Sequence, residues 1–298
     1  MKRLILLALL AAAFVSCDKE EETTPPTNTG STPSNEPKLI FKFRFDETQP
    51  RLDNLGNPAT VPAGNAAQTP LFHQISAHYI EMTNGPLVQL GDGEVLYVAP
   101  ETTAGGTNAI NFSQSVVVGE DEVFFEIPIA AITPDTYRWM RVSLAYQNYD
   151  IEFMYDTWEL TGRLASFVGF NTYIENVTID TQNLNVGGNR LQGFWAMEVP
   201  TPFGTFTQSG QAPAGATTVP NPLSATSPIP AGSCVVTGEM LQPLQITGNE
   251  TEDIVVILSL SANQSFEWQD LNGNGVFEPQ NEPVVDMGLR GLIPFVEN

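Results

Sequence analysis

The sequence predicts an all-β protein, an antiparallel β-sandwich with long loops. Three observations carry this. Short segments alternate apolar and polar residues with period two, the mark of half-buried strands. Twenty-four Gly and 23 Pro punctuate them at turn positions. No helix-period stretch of any length occurs, and many short strands between turn signals read as a sandwich or barrel.

The elements follow in order. Residues 1–17 read as a lipoprotein signal peptide: Lys2 and Arg3, an apolar run from Leu4 to Val15, then Ser16 and Cys17. The run is too short for a spanning helix, which needs roughly 20 apolar residues. Residues 18–38, with many Pro, Thr, Ser and Glu and no large apolar side chain, read as a disordered tether. Residues 39–298 form the β-sandwich domain. In "KLIFKFRFD" Leu39, Phe41, Phe43 and Phe45 share one face, and Lys42 and Arg44 the other. Strands follow at "LFHQISAHYIEMTNG", about the Gly91-Asp92-Gly93 turn, and at "EVFFEIPI" and "TYRWMRVSLAYQN". More are expected at "YDIEFMYDTWELTG", "RLASFVGFNTYIENVTID", "RLQGFWAMEV", "SCVVTGEM" and "DIVVILSLS". Residues 201–233, rich in Pro and Gly, read as a long loop draped over the sandwich. A division into two domains near Gly162 is the alternative.

Charge narrows the partners. Acidic residues outnumber basic ones by 34 to 12, a net of −22, and loss of Lys2 and Arg3 with the leader takes this to −24. No Lys or Arg occurs from Leu52 to Tyr137 or from Leu191 to Leu289. A polyanion needs basic groups to displace its counterions, so nucleic acid is excluded as a partner and anionic small molecules are disfavoured. Cations, neutral glycans and proteins remain. Cys234 is the one cysteine besides Cys17, too few for a disulfide within the domain, and reads as a small core residue.

Two resemblances attach to these segments. Phe14-Val15-Ser16-Cys17 resembles a bacterial lipobox, which implies a lipid on Cys17 and a membrane partner through it. Asp18, Glu20, Glu21 and Glu22 directly after it resemble the surface-export signal of Bacteroidetes lipoproteins, implying the outer face of the outer membrane, with a periplasmic lipoprotein as the alternative. The succession "IFKFRFD", "ISAHYIEMTNGPLVQLGDG", "VFFEIPIAAITPDTYRWMRVSLAYQNYDI" and "DIVVILSLSANQSFEW" resembles the MbnP-like lipoproteins, a β-sandwich family. That resemblance implies the fold and, as an alternative function, copper binding, for which His73 and His78 are the available imidazoles. They lie five apart, and odd spacing in a strand puts them on opposite faces.

The sharpest local signal is "DLNGNGVFEP", residues 270–279. A calcium loop of the EF-hand type needs oxygens at positions 1, 3 and 5, Gly at 6, a carbonyl at 7 and a carboxylate at 12. Asp270, Asn272, Asn274, Gly275 and Val276 supply the first five. Position 12 is Asn281, and Glu282 comes one residue late, with Glu278 and Asp286 as spare carboxylates. The stretch resembles a dockerin-like loop set between strands, expected to hold structural Ca²⁺ with Kd about 10⁻⁴ to 10⁻³ M. The competing reading is a hairpin turn, because Asn-Gly is also a strong hairpin signal.

No motif for catalysis appears: no nucleophile elbow, zinc-protease helix, phosphate loop or dinucleotide fingerprint. The chain reads as a non-catalytic binding or interaction module, and a carboxylate-dependent glycan hydrolase is the remaining enzymatic alternative. Trp139, Trp158, Trp195 and Trp268 sit in alternating segments and are expected to pack in the core.

Overall fold

The computed structural model describes residues 36–213, 216, 228–230 and 232–297. The expected signal peptide, Cys17 and the tether up to residue 35 lie outside the described residues. One sheet runs β18 (Arg290–Val296), β15 (Ile254–Ser261), β1 (Lys38–Asp46) and β7 (Val123–Pro128). A second runs β13 (Gly204–Gln211), β12 (Phe194–Thr201), β9 (Trp158–Phe167), β8 (Asp135–Tyr155), β3 (Leu71–Thr83) and β4 (Glu94–Val98), with β14 (Cys234–Ile246) also on β8. A third comprises β11 (Asn183–Leu191), β10 (Asn171–Thr178), β6 (Ala109–Asn111) and β5 (Glu101–Thr102). A small fourth comprises β17 (Val284–Met287), β16 (Phe266–Gln269) and β2 (Asn65–Gln68). Pairing is antiparallel except for β1 with β15 and β10 with β6.

The alternation read in β1 is observed. Leu39, Phe41 and Phe43 are fully buried, and Phe45 nearly so. On the other face Lys38 pairs with Glu126, Lys42 with Glu297 (3.4 Å) and Arg44 with Asp121 (2.9 Å). The β1 face packs with Val256, Leu258, Met140, Val142 and Leu144 in the main core, which joins the first and second sheets. A smaller cluster, including Tyr146, Phe167, Ile174 and Phe194, joins the second sheet to the third. The second sheet is thus covered on both faces in its middle. That explains why β8 is buried without a break from Met140 to Tyr149, even where Met140, Val142 and Leu144 alternate with Arg141 and Ser143 in the sequence.

Three expectations need correction. Residues 201–233 are not one loop: Gly204–Gln211 is β13, hydrogen-bonded to β12 from Thr201↔Gly204 to Phe194↔Gln211. The turn at Pro202-Phe203 is permitted by Gly204 at φ 131°, and the strand is polar because it is an exposed edge. No division falls near Gly162, which lies inside β9 between β8 and β12, and residues 36–298 form one compact unit. The stretch from Tyr149 is a hairpin rather than a single strand: β8 and β9 pair up to Tyr155↔Trp158 around Asp156-Thr157, with Asp156 at φ 53°.

The same turn corrects one of the tryptophans. Trp268 is buried, and Trp139 and Trp195 are half-buried, but Trp158 is 53% exposed at the hairpin tip. Cys234 is buried at the start of β14, as a core residue should be. No helix among the described residues is long and apolar enough to cross a membrane.

A candidate metal loop and the cleft beside it

Residues 270–283 link β16 to β17, so the stretch is not a two-residue hairpin. Two glycines let it wind: Gly273 at φ 74° and Gly275 at φ 72°, a region that residues with a Cβ rarely adopt. Asp270 turns its carboxylate inward. Its Oδ1 accepts from the N–H groups of Gly273 (2.7 Å) and Asn274 (3.1 Å), and its Oδ2 from that of Gly275 (2.9 Å). Asn272 Oδ1 accepts from Asn274 N–H (3.0 Å), and Asn274 Oδ1 from Val276 N–H (2.8 Å). The Asn272 and Asn274 amides both donate to Glu278, at 3.2 and 3.0 Å.

The structure therefore brings Asp270, Asn272, Asn274 and Glu278 together around one loop, with Val276 on the same turn. Glu282 sits below it and is 4% exposed. Its two oxygens accept from Leu271 N–H (3.0 Å) and Glu278 N–H (2.9 Å), so it fastens the loop's ends. The donors that could face an ion are hard oxygens, mostly amide and carbonyl with Asp270 and Glu278, which is the chemistry Ca²⁺ takes. Among the described residues no group of three or more His, Cys, Asp or Glu is placed to hold an ion.

Asp286 stands apart from this loop. It lies in β17 opposite Glu267 of β16, fully desolvated, with Arg290 Nε at 2.7 Å and Arg51 at 3.9 Å. Arg51 also pairs with Glu267, which Asn65 binds from β2. Burial pushes the Asp286 carboxyl up to about 6, against the pull of Arg290 and Arg51. The folded state thus holds a proton that the unfolded chain, at the usual 3.8, has lost. The resulting stability is full below about pH 4 and lost as pH rises through about 6. Acidification from pH 7 to 4.5 should stabilise the native protein relative to its Asp286→Asn variant. Paired urea melts across that range check this, and a constant difference would refute it.

His73 and His78 are not brought together. Five residues along β3 separate their backbones by about 16 Å. His73 pairs with Asp150 (2.9 Å), which also binds Arg163. Burial would raise the Asp150 carboxyl, but the hydrogen bonds from Arg163 and His73 outweigh it and hold it below its usual range. His78 is fully buried against Phe170 and pairs with Glu101 (2.8 Å). Burial lowers its basicity, with Glu101 opposing.

Sequence reasoning missed a cleft of about 500 Å³ beside the loop. One wall is the end of the β8–β9 hairpin, with Glu152, Phe153, Glu159 and Thr161. The other is Gln68, Trp268 and the loop's own Gly275 to Phe277. The loop is keyed into place there. Phe277 O accepts from Met154 N–H (2.8 Å), and the Phe277 ring packs on Phe266 and Trp268, with centroids at 5.2 and 5.5 Å. Gln68 bridges the free edge of β8, accepting from Glu152 N–H (2.8 Å) and donating to Glu152 O (2.9 Å). The one signal legible beforehand was Asp156-Thr157, a turn dipeptide that places Trp158 and Glu159 at a hairpin end.

Comparison with protein-family models, with curated proteins and with solved structures finds no match to this chain. The architecture defines an all-β sandwich.

Proposed function

We propose that the protein is a non-catalytic, lipid-anchored binding module of the outer-membrane surface, stabilised by calcium in the 270–282 loop. The single observation behind this is the convergence of Asp270, Asn272, Asn274 and Glu278 on a loop that forms one wall of the cleft. Asp270, Asn272, Asn274, Glu278 and the Val276 carbonyl would hold the ion, and Glu282 would hold the loop ends. Asp286 has other partners and is not among the ligands. The ion would offset the repulsion among Asp270, Glu278 and Glu282, for no Lys or Arg occurs from Leu191 to Leu289. Its role would be to order the loop. The lipobox-like Phe14-Val15-Ser16-Cys17 and the acidic Asp18, Glu20, Glu21 and Glu22 after it support the lipid anchor and the surface location.

The test is a thermal melt of the purified protein in EDTA and then in calcium. A ligand of the native state stabilises by RT ln(1 + [L]/Kd). With Kd near a millimolar or somewhat below, about 10 mM calcium adds roughly 1.5–2.7 kcal/mol, or roughly 5 °C for a domain of this size. Asp270→Ala should abolish the rise. Coincident melts would refute the calcium loop.

A further inference from the structure

We infer that β13 is the contact edge of a homodimer, in which two copies pair this strand antiparallel about a two-fold axis and continue the second sheet from one molecule into the other. The inference does not depend on the calcium loop. β13 ends the second sheet, and among the described residues no strand lies on its outer side. Edge strands are normally blunted by charge, proline, bulges or shortness. β7 carries Glu126 and Pro128, and β18 carries Arg290 and Pro294. β13 has none of these devices: Gly204–Gln211 runs eight residues without charge or proline and pairs with β12 without a shift of register. Charge says what such an edge accepts. A net of −22 makes two copies repel over most of their surface. Residues 199–238 contain no Asp, Glu, Lys or Arg, so the repulsion is weakest here. The edge has no ionic means of selecting a charged partner, and a second copy brings the same uncharged strand to meet it.

The strand is also self-complementary. The two-residue turn makes Thr201 and Gly204 a hydrogen-bonded pair, and the bond from Ala212 N–H to Gly193 O (2.8 Å) keeps the same phase at the far end. The N–H and C=O groups of Thr205, Thr207, Ser209 and Gln211 therefore point away from β12. Antiparallel pairing centred on Gln208 sets Thr205 opposite Gln211 of the second copy and Thr207 opposite its Ser209, so every outward group finds a partner. The same register sets Phe206, 60% exposed, opposite Gly210 of the second copy. Phe206 is the one bulky side chain of the strand, and Gly210 has no side chain to meet it. The space a Cβ at Gly210 would take is filled by the Trp195 indole, at 2.7 Å, and the Phe206 ring packs against that half-buried indole across the axis. A lipid surface could cover Phe206 but would leave the outward backbone groups unpaired.

The experiment is sedimentation equilibrium on the chain from Asp18 onward, which keeps the whole compact unit Glu36–Asn298 and carries no lipid. It should behave as a dimer, and raising NaCl from about 50 to about 500 mM should tighten the association, because salt screens the repulsion and the interface holds no ion pair to lose. Thr207→Pro removes an outward donor without touching the ladder to β12, and Gln208→Lys sets two like charges across the axis. Each should weaken the dimer about tenfold or more while the far-UV spectrum stays that of the native fold. Gln208→Cys should cross-link to itself on oxidation, since a non-hydrogen-bonded pair brings the two Cα atoms to about 4.5 Å, within disulfide reach. Thr205→Cys, opposite Gln211, should not. A monomer at about 100 µM in high salt would overturn the inference, whether or not it binds zwitterionic lipid vesicles. A dimer that survives both Thr207→Pro and Gln208→Lys, or an oxidised Gln208→Cys variant without cross-links, would place the interface elsewhere and overturn it as well.

Discussion

Arg141→Met should lower stability by about 3–5 kcal/mol, the cost of removing one partner of a buried ion pair. Glu81 and Arg141 are directly opposite on β3 and β8, both 0% exposed, with Arg141 Nη1 at 3.4 Å from Glu81 Oε2. The pair does more than neutralise itself. Glu81 Oε1 accepts from the N–H groups of Gly91 (3.0 Å) and Gly93 (2.7 Å). Arg141 Nη2 donates to the carbonyls of Pro86 (3.1 Å) and Val88. The two side chains therefore fix the whole 85–93 loop from beneath. Burial pulls the Arg141 guanidinium below its ordinary value, and Glu81 opposes that pull. Methionine fills the volume of the arginine stem but leaves Glu81 charged in a dry site and two carbonyls without a donor. Denaturant melts should show the loss, roughly 10 °C or more in midpoint. Glu81→Gln added to Arg141→Met should recover part of it, because the amide oxygen still accepts from Gly91 and Gly93 with no buried charge. A double variant as unstable as the sum of the singles would show that the charges do not interact. A single variant within about 1 kcal/mol of the native protein would show that water reaches the site.

The ion pair also shows where sequence reading stops. The β1 face was legible because one side of that strand meets the core and the other meets solvent, so period two survives. In β8 the sequence alternates from Met140 to Leu144, but the burial does not follow it. Both faces of its middle are covered, and Arg141, Ser143, Gln147 and Asn148 are buried beside Met140, Val142 and Leu144. A strand of that kind reads as having a solvent face when both of its faces are covered. The candidate loop was legible because its chemistry is local: Asp270, Asn272, Asn274 and Gly275 lie within six consecutive residues. Its fourth side chain was less so. Glu278 arrives because the chain folds back on itself, while Glu282 and Asp286, equally acidic in the sequence, are taken by backbone amides and by arginines respectively. Beyond the Asp156-Thr157 turn, the cleft was not legible. Gln68, Glu159 and Trp268 are far apart in the chain and meet only through the pairing of β16 with β2 and the docking of the loop on β8. Such long-range pairings leave no periodic trace.

That docking sets the second large effect. Phe277→Ala should cost about 3 kcal/mol, the low end of the range for truncating a buried phenylalanine, because the ring sits at the margin of the core. It is 5% exposed and closes an aromatic group with Phe266 and Trp268. It is also the only buried side chain between Leu271 and Pro279. The rest of that stretch is held by hydrogen bonds among its own polar groups and by the backbone bond from Met154 to Phe277. Without the ring, the loop loses its apolar anchor and must pay more ordering entropy before its oxygens can gather round an ion. Two readings should therefore fall together: the melting midpoint in EDTA, and the calcium concentration response, which should shift to several-fold higher calcium. Phe277→Leu keeps an apolar anchor and should restore most of both. If Phe277→Ala lowers the midpoint but leaves the calcium response where it was, then the loop orders itself independently of the core, and calcium stabilises only the loop. If neither moves, the packing of the ring on Phe266 and Trp268 is not what positions the loop, and the hydrogen bond from Met154 to the Phe277 carbonyl must suffice.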